Sequence, residues 1–596
     1  MNSEEENNDF IYVDGRKMFL HEDTEEIVAT ITFPDYPHIE EKLPLKIVGK
    51  INGFWIDENN KKLFQNKGLN ETVLYGEKVK IKLMTTNVSD EREIEVEIKA
   101  KQGGKYIDLK TNAKTLKFTV KVKNNQAISN PFYLDPNWYN EETERYNYKT
   151  HQTEINTNKA LTFVFEAKFV DSNRVYELPN EDTDQLKPIT YRRNYEELIG
   201  LFNTNNNGEK NKEQNYENKF INSNSEIKIV VHEFIKEVIR KDISAPEIKS
   251  LVEEKSKLLW NTAVKHAQGF IEVVKKEKIL SEKVRSEMGL DKDEKLYEEI
   301  PKRIDANLDD RPLYWARNKM QTWLKRNPLF KDQINLETST VYDDTELEDI
   351  ITLFEEKSRN YTGIDFSKAG NKKKVLITGF DPFQLNPDIS FNSSMGASST
   401  TTFNPSGIIA LYFNGTFDSY YIQTCIFPVR YEDFDKSFVE KVVTANIKEI
   451  DLIMTTSLNG GNPRFDIEKF ATEFRGGFHD NLGIGNSDTQ YDSSRFIANQ
   501  NQNYTETTLP NKKIFGDKTS IMLKGNEVYF DTNRSPKEGS GSNYLSNEIM
   551  YRSTKVRDQI GSKIPVGHFH LGNLRSISRA NEVKNVVFEI IKKILK

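Results

Sequence analysis

The hydrophobic period of this 596-residue chain changes twice, and those changes limit what it can fold into. From about Glu26 to Asp171 apolar and polar residues alternate, as in Glu26–Phe33, Lys78–Met84, Glu93–Ile98 and Leu116–Val122, the period of half-buried strands. The turn-like stretches Asp57-Glu58-Asn59-Asn60 and Gly103-Gly104 fall between them. The pattern runs through two rounds, one holding Phe54-Trp55-Ile56-Asp57 and Tyr75-Gly76-Glu77-Lys78, the other around Phe132–Phe169. Residues 26–180 are therefore expected to form one or two Ig-like β-sandwich modules behind an acidic tail, 1–25. Asn203–Glu226 is dominated by Asn, Lys, Glu and Ser, so 181–226 is expected to be a polar linker.

From Ile227 the period becomes helical. Ile229, Val230, Phe234, Val238 and Ile239 recur at helical spacing, as do Leu251, Leu258, Leu259 and Val264, with Ser244 and Pro246 between them where a cap and first-turn proline belong. Residues 227–365 are expected to be an α-helical region, with further helices near Leu296–Ile304, Pro312–Lys325 and Thr345–Lys357 and with charged faces turned to solvent. The dense segment Asp309–Arg317 reads as a helix start with Trp315 packed inward. Its functional alternative is a surface on which the helical region docks against the C-terminal domain.

Past Lys372 strands and helices alternate. Lys372–Gly379 has the form of a buried parallel strand, Asn404-Pro405-Ser406-Gly407 opens a helix, Ile426-Phe427-Pro428-Val429 ends a strand and Asp451–Thr455 begins another. This order predicts an open, doubly wound α/β domain over 370–596, in which ligands bind beyond the carboxyl ends of the strands. The turn Phe380-Asp381-Pro382-Phe383 stands at such an end.

Composition narrows the function classes. The 84 basic and 91 acidic residues leave a charge of −7, which gives no reason to expect a nucleic-acid partner. The single cysteine, Cys425, excludes an internal disulfide framework and is expected in the core. No run of about eighteen apolar residues is present to span a membrane. The N-terminus is acidic where a secretory signal would be basic and then apolar, so synthesis in the cytoplasm is expected, with signal-independent export left open.

Several short motifs then occur in one order between Lys372 and Lys596: Thr378-Gly379-Phe380-Asp381-Pro382-Phe383, Asn404-Pro405, Gly460-Gly461 followed by Glu468-Lys469, Asp480-Asn481-Leu482-Gly483, Thr507-Thr508-Leu509-Pro510, Ser546-Asn547 with Tyr551, and Val566-Gly567-His568-Phe569-His570. Together they resemble the pyroglutamyl peptidase I family, which removes N-terminal pyroglutamate from peptides. The chain before Lys372 has no counterpart in that simple enzyme.

The resemblance implies a triad of Ser546, His570 and Glu468, with serine standing where the family uses cysteine. It also implies that Phe380 and Phe383 line a pocket for a small flat acyl group, and that Asn404, Gly460 and Gly461 bind substrate. No metal and no cofactor are expected. An imidazole base would activate the weak serine nucleophile, and a carboxylate on the far ring nitrogen would fix the tautomer. Arg475 is nearest to the family's arginine but out of register. Leu385–Phe403 is an insertion, and Gly485–Asn503 is expected to form a lid.

Each residue also has a plainer role: Ser546 as a helix N-cap, Glu468 as a surface acid, Phe380 and Phe383 as core. Ser540 and Ser542 are alternative nucleophiles. His568 and His570 point the same way from one strand, but no third ligand completes a metal site. Three functions are compatible with these residues: a serine-dependent hydrolase acting on a peptide or small amide, a peptidase-like binding module without turnover, or a bacterial secretion-system effector.

Overall fold

The structure, a computed structural model, describes residues 10–13, 16–19, 27–33, 36–45, 49–63, 73–109, 116–139, 144–147, 152–155, 158–189, 193–199, 216–240, 242–279, 297–383, 402–459, 464–473, 480–484, 504–531, 544–572 and 577–596, with isolated positions between them. Gly460, Gly461, Ser540 and Ser542 lie outside the described residues, as do most of the expected insertion and the expected lid.

The chain divides into two compact units. The first comprises Met1–Arg192, Ile239–Asp242 and Lys325–Tyr342; the second comprises Arg193–Val238, Ile243–Leu324 and Asp343–Lys596. Most of the expected helical region thus belongs to the same unit as 370–596.

In the first unit the alternating segments are strands. Lys50–Ile56, Lys78–Thr86, Gln126–Ile128 and Phe132–Tyr133 form one antiparallel sheet. Glu93–Gln102, Lys105–Ile107, Lys117–Lys121, Leu161–Phe169 and Tyr176–Leu178 form another. Every second side chain of Lys78–Leu83 and Glu93–Ala100 is buried, which is what the period-2 pattern requires. Both sheets contribute to one core, where Trp55 meets Phe165 edge-on at 5.3 Å.

The second unit opens with the short helix Tyr195–Ile199, followed by helices Tyr216–Asn222, Ser225–Val238 and Ala245–Gln268. Ser244 caps the last of these, its N–H donating to the Glu247 carboxylate at 2.9 Å, with Pro246 in the first turn. Arg311–Lys325 and Glu346–Ser358 are the later helices. Two expectations are corrected. Tyr216–Asn222, assigned to the linker, is a helix that buries Tyr216, Phe220 and Ile221, an apolar stripe hidden by polar neighbours.

The helix expected at Leu296–Ile304 is instead a strand, Tyr297–Ile304, paired antiparallel with Phe270–Glu277. Tyr297, Ile300 and Ile304 mimic a helical stripe, but Pro301 would interrupt the helix interior, and the facing strand offers β-branched Val273 and Val274.

An eight-stranded sheet carries the rest. Its order is Gly415–Phe417, Tyr420–Phe427, Lys373–Phe380, Leu452–Asn459, Val566–Gly572, Phe465–Glu468, Asn526–Asp531, Ser520–Leu523. The four strands from Tyr420–Phe427 to Val566–Gly572 run parallel, and Phe465–Glu468 joins antiparallel. Helices Pro405–Phe413 and Ala580–Leu595 cover one face over Val375, Ile377, Met454 and Phe569. Helices Phe438–Asn446 and Leu545–Ile560 cover the other over Leu376, Cys425, Ile453 and Val566. Cys425 is fully buried there, and burial pushes its thiol well above the usual range. Among the described residues no helix is long and apolar enough to cross a membrane.

Candidate active site

Side chains alternate across a sheet, so strands that send Met454, Ile467, Phe569 and Leu571 to one face send Thr455, Ser457, Asp466, Glu468, His568 and His570 to the other. All six polar residues are buried. Unpaired, such groups would cost about 1–3 kcal/mol each, so their partners carry the explanation.

His570 pairs through Nδ1 with Glu468 Oε1, an ion-pair partner when the ring is charged. The Leu545–Ile560 helix packs against strand Val566–Gly572 on the face that carries His570. Ser546 stands in the first turn of this helix and is 7% exposed. The capping role does not apply to it, because the helix begins at Leu545 with Tyr544 as its cap. The next residue, Asn547, fixes the helix start: its Oδ1 accepts from Thr472 N–H at 2.8 Å and its Nδ2 donates to Thr472 carbonyl at 2.8 Å. No hydrogen bond joins Ser546 to His570 among the described residues.

His568 sits one layer deeper and has a different environment. Thr455 Oγ1 donates to the Gly567 carbonyl at 3.2 Å and lies 2.8 Å from His568 Nδ1, so the hydroxyl accepts from Nδ1–H. Nε2 is then the acceptor, and Ser457 Oγ donates to it at 2.8 Å. Burial, with His570 edge-on at 4.6 Å, holds the His568 ring neutral by pushing its pKa well below the usual value. Ser457–His568 is thus a second serine–histidine pair, enclosed and backed by a hydroxyl instead of a carboxylate. Metal-ligand spacing was the only use the sequence offered for His568. Its hydroxyl partners come from another strand and have no sequence signature.

The pocket residues divide. Phe380 is buried and stacks on Phe434 at 6.1 Å, so its ring belongs to the core cluster. Phe383 is half-buried with its ring 5.6 Å from that of Tyr544, the cap of the Ser546 helix. Asn404 caps helix Pro405–Phe413 by accepting from Ser406 N–H at 3.0 Å, and its amide donates to the Asp381 carbonyl at 2.7 Å. Asp480 accepts from the amides of Tyr431, Leu482 and Ile484, while burial pushes its carboxyl up to about 7.

Arg475, out of register in the sequence, is fully buried. Its guanidinium grips both Glu548 carboxylate oxygens at 2.6 Å and reaches Asp435 at 2.8 Å. Glu548 lies two residues after Ser546, so this bidentate pair anchors the same helix turn. Among the described residues no group of three His, Cys, Asp or Glu side chains is arranged to hold a metal ion.

Comparisons with known proteins place this region among relatives. A family model described as the PA0049 C-terminal domain matches residues 374–512 and 526–575. The uncharacterized protein PA0049 of Pseudomonas aeruginosa is 22% identical over 426 residues, covering 54% of this chain and 69% of that protein. Solved structures similar to the chain include a mutant pyrrolidone carboxyl peptidase from Pyrococcus furiosus, 22% identical, covering 37% of this chain and 100% of that one at a TM-score of 0.26. Pyroglutamyl peptidase I from Bacillus amyloliquefaciens is 19% identical over 37% of this chain and 93% of its own, at a TM-score of 0.27.

Proposed function

We propose that the C-terminal region is a serine-dependent amide hydrolase that removes an N-terminal pyroglutamyl or similar small acyl group. The observation that carries this reading is the His570–Glu468 pair, on the face of the sheet covered by the Ser546 helix. In the first step Ser546 Oγ attacks the acyl carbon and its proton passes to His570 Nε2. The imidazolium, held by Glu468, returns that proton to the leaving amine as the C–N bond breaks. Water then attacks the ester, giving its proton to His570, and the carboxylate leaves as the proton returns to Ser546. The first turn of a helix has amides without intrahelical acceptors; those of Asn547 and Glu548 already donate to the Tyr544 carbonyl, so the Ser546 amide is the one suited to stabilise the oxyanion. The half-buried Phe383 ring supplies an apolar wall for a flat ring.

The sheet with helices on both faces is the scaffold we read as doubly wound, and the two N-terminal sheets as a β-sandwich that spaces or binds. A second reading, a binding module without turnover, is favoured by the missing Ser546–His570 hydrogen bond. Catalytic bonds often tighten only with substrate, so the missing bond does not displace the first reading. Hydrolysis of a fluorogenic pyroglutamyl amide by the full-length protein separates the two. The hydrolase reading expects turnover that falls by roughly 10³-fold or more in Ser546→Ala. Undiminished turnover in Ser546→Ala would overturn it, and binding of pyroglutamate without any turnover would favour the module.

A further inference from the structure

The start of helix Arg311–Lys325 touches the Asp381–Phe383 turn, the Asn404 cap and the Asp480–Ile484 loop. Asp310 accepts the Asn404 N–H at 3.0 Å, and it lies so close to the next helix that a Cβ on Gly407 would meet its Oδ2 at 2.7 Å. One turn on, the Tyr314 hydroxyl accepts from Asn481 Nδ2 at 3.3 Å, while the same amide donates to the Pro382 carbonyl at 2.9 Å. That hydroxyl donates in turn to Glu196 at 2.7 Å. At the next turn Arg317 pairs with one oxygen of Asp381, and Arg359 closes on the other at 2.6 Å. Spacings of four and three put Asp310, Tyr314 and Arg317 on one helix face. Arg317 and Asp381 are each 2% exposed, so neither charge has water to fall back on.

Asp381 and Pro382 are the residues between Phe380 and Phe383, Asn404 caps the helix behind them, and Asn481 sits in the Asp480–Ile484 loop. A buried carboxylate clamped by two guanidinium groups has one acceptable geometry, so the backbone that carries it is fixed as well.

We infer that the Asp310–Tyr314–Arg317 face is a positioning element of the acyl-group pocket, setting the Asp381–Phe383 turn and the Asp480–Ile484 loop together with the bonds these make to Phe427, Val429 and Tyr431 of the α/β layer. This rests on the proposed hydrolase reading for what the pocket takes, but not for the coupling of helix and loops. The residues are positioning residues: they reach the pocket through Asp381, Asn404 and Asn481. Docking and helix start are then one feature, because Asp310 precedes the first turn and contacts the neighbouring helix cap.

Hydrogen exchange and steady-state kinetics on full-length Arg317→Met, Arg317→Lys and Tyr314→Phe test the inference. Arg317→Met is expected to raise amide exchange about tenfold or more in peptides spanning 381–385 and 480–484, leaving Val566–Gly572 unchanged, with Arg317→Lys between it and the native chain. KM for the pyroglutamyl amide is expected to rise about fivefold or more while kcat stays within about twofold. If Arg317→Met does not fold, Tyr314→Phe, which loses only the hydroxyl, is expected to raise exchange at 480–484 about threefold. Exchange that is unchanged in both loops, or that rises uniformly through the sheet, overturns the inference. A native chain without turnover counts against the hydrolase reading alone, and the exchange data still decide the positioning role.

Discussion

The core around Trp55 and the sheet that carries His570 bury opposite kinds of side chain. In the first, each strand turns Ile, Val, Leu or Phe inward and Lys or Glu outward, and Trp55, Phe163 and Phe165 fill the space between two sheets. In the second, one face is equally apolar, but the other buries two histidines, two carboxylates and two hydroxyl side chains on adjoining strands. An apolar core is sufficient for stability, and buried polar groups add desolvation costs that only good partners offset. The sheet that accepts those costs is the one whose parallel strands end at a candidate site. The difference sets the sheet with the candidate site apart from the core around Trp55.

The largest expected effect that would sharpen this contrast is kinetic. His570→Ala should lower turnover by roughly 10³-fold or more while costing about 1–3 kcal/mol of stability through the Glu468 carboxyl left without its partner, measured by steady-state assay beside calorimetry. Trp55→Ala should do the reverse, destabilising its unit by about 3–5 kcal/mol through a cavity in a fully buried position. Turnover should be unaffected, and a denaturant titration read with the assay checks both. Glu468→Gln comes next, with turnover falling by about 10²-fold or more as His570 loses its orienting carboxylate. A Trp55 variant that lost turnover as fully as the His570 variant would break the comparison.

Two effects are smaller. Cys425 should resist thiol reagents in the native chain and react only once the eight-stranded sheet opens, so conditions that unfold Trp55→Ala alone should leave it unlabelled. Asp480 has a folded-state pKa raised from 3.8 to about 7, so its neutral form is favoured in the fold. Its contribution is fully present below the unfolded value and is lost as pH rises through about 7. Asp480→Asn should therefore flatten the decline in stability over that window, followed as melting temperature against pH.

Much of the site was legible because its residues travel in short motifs. Glu468, Ser546 and His570 could be picked out without coordinates, and the structure joins Glu468 to His570. The strand that leads into the Phe380–Phe383 turn was legible from its apolar run, expected over Lys372–Gly379 and found over Lys373–Phe380. What escaped depends on tertiary partners. Arg317 meets Asp381 across 64 positions, and Ser457 meets His568 across 111, separations with no local signature. Phe380 was assigned to a pocket by motif, yet its ring stacks in the core, where aromatic residues after a buried strand usually go. Tyr297–Ile304 deceived because three apolar residues at helical spacing coincided with a strand that, among the described residues, pairs with Phe270–Glu277 alone.

The measurement that bears most directly on the central claim is covalent. Full-length protein treated with a fluorophosphonate, a reagent for activated serine hydroxyls, and then mapped by peptide mass spectrometry should carry one adduct, on Ser546, and the adduct should vanish in His570→Ala. An adduct on Ser457, or labelling of Ser546 that persists without His570, would contradict the assignment of nucleophile and base.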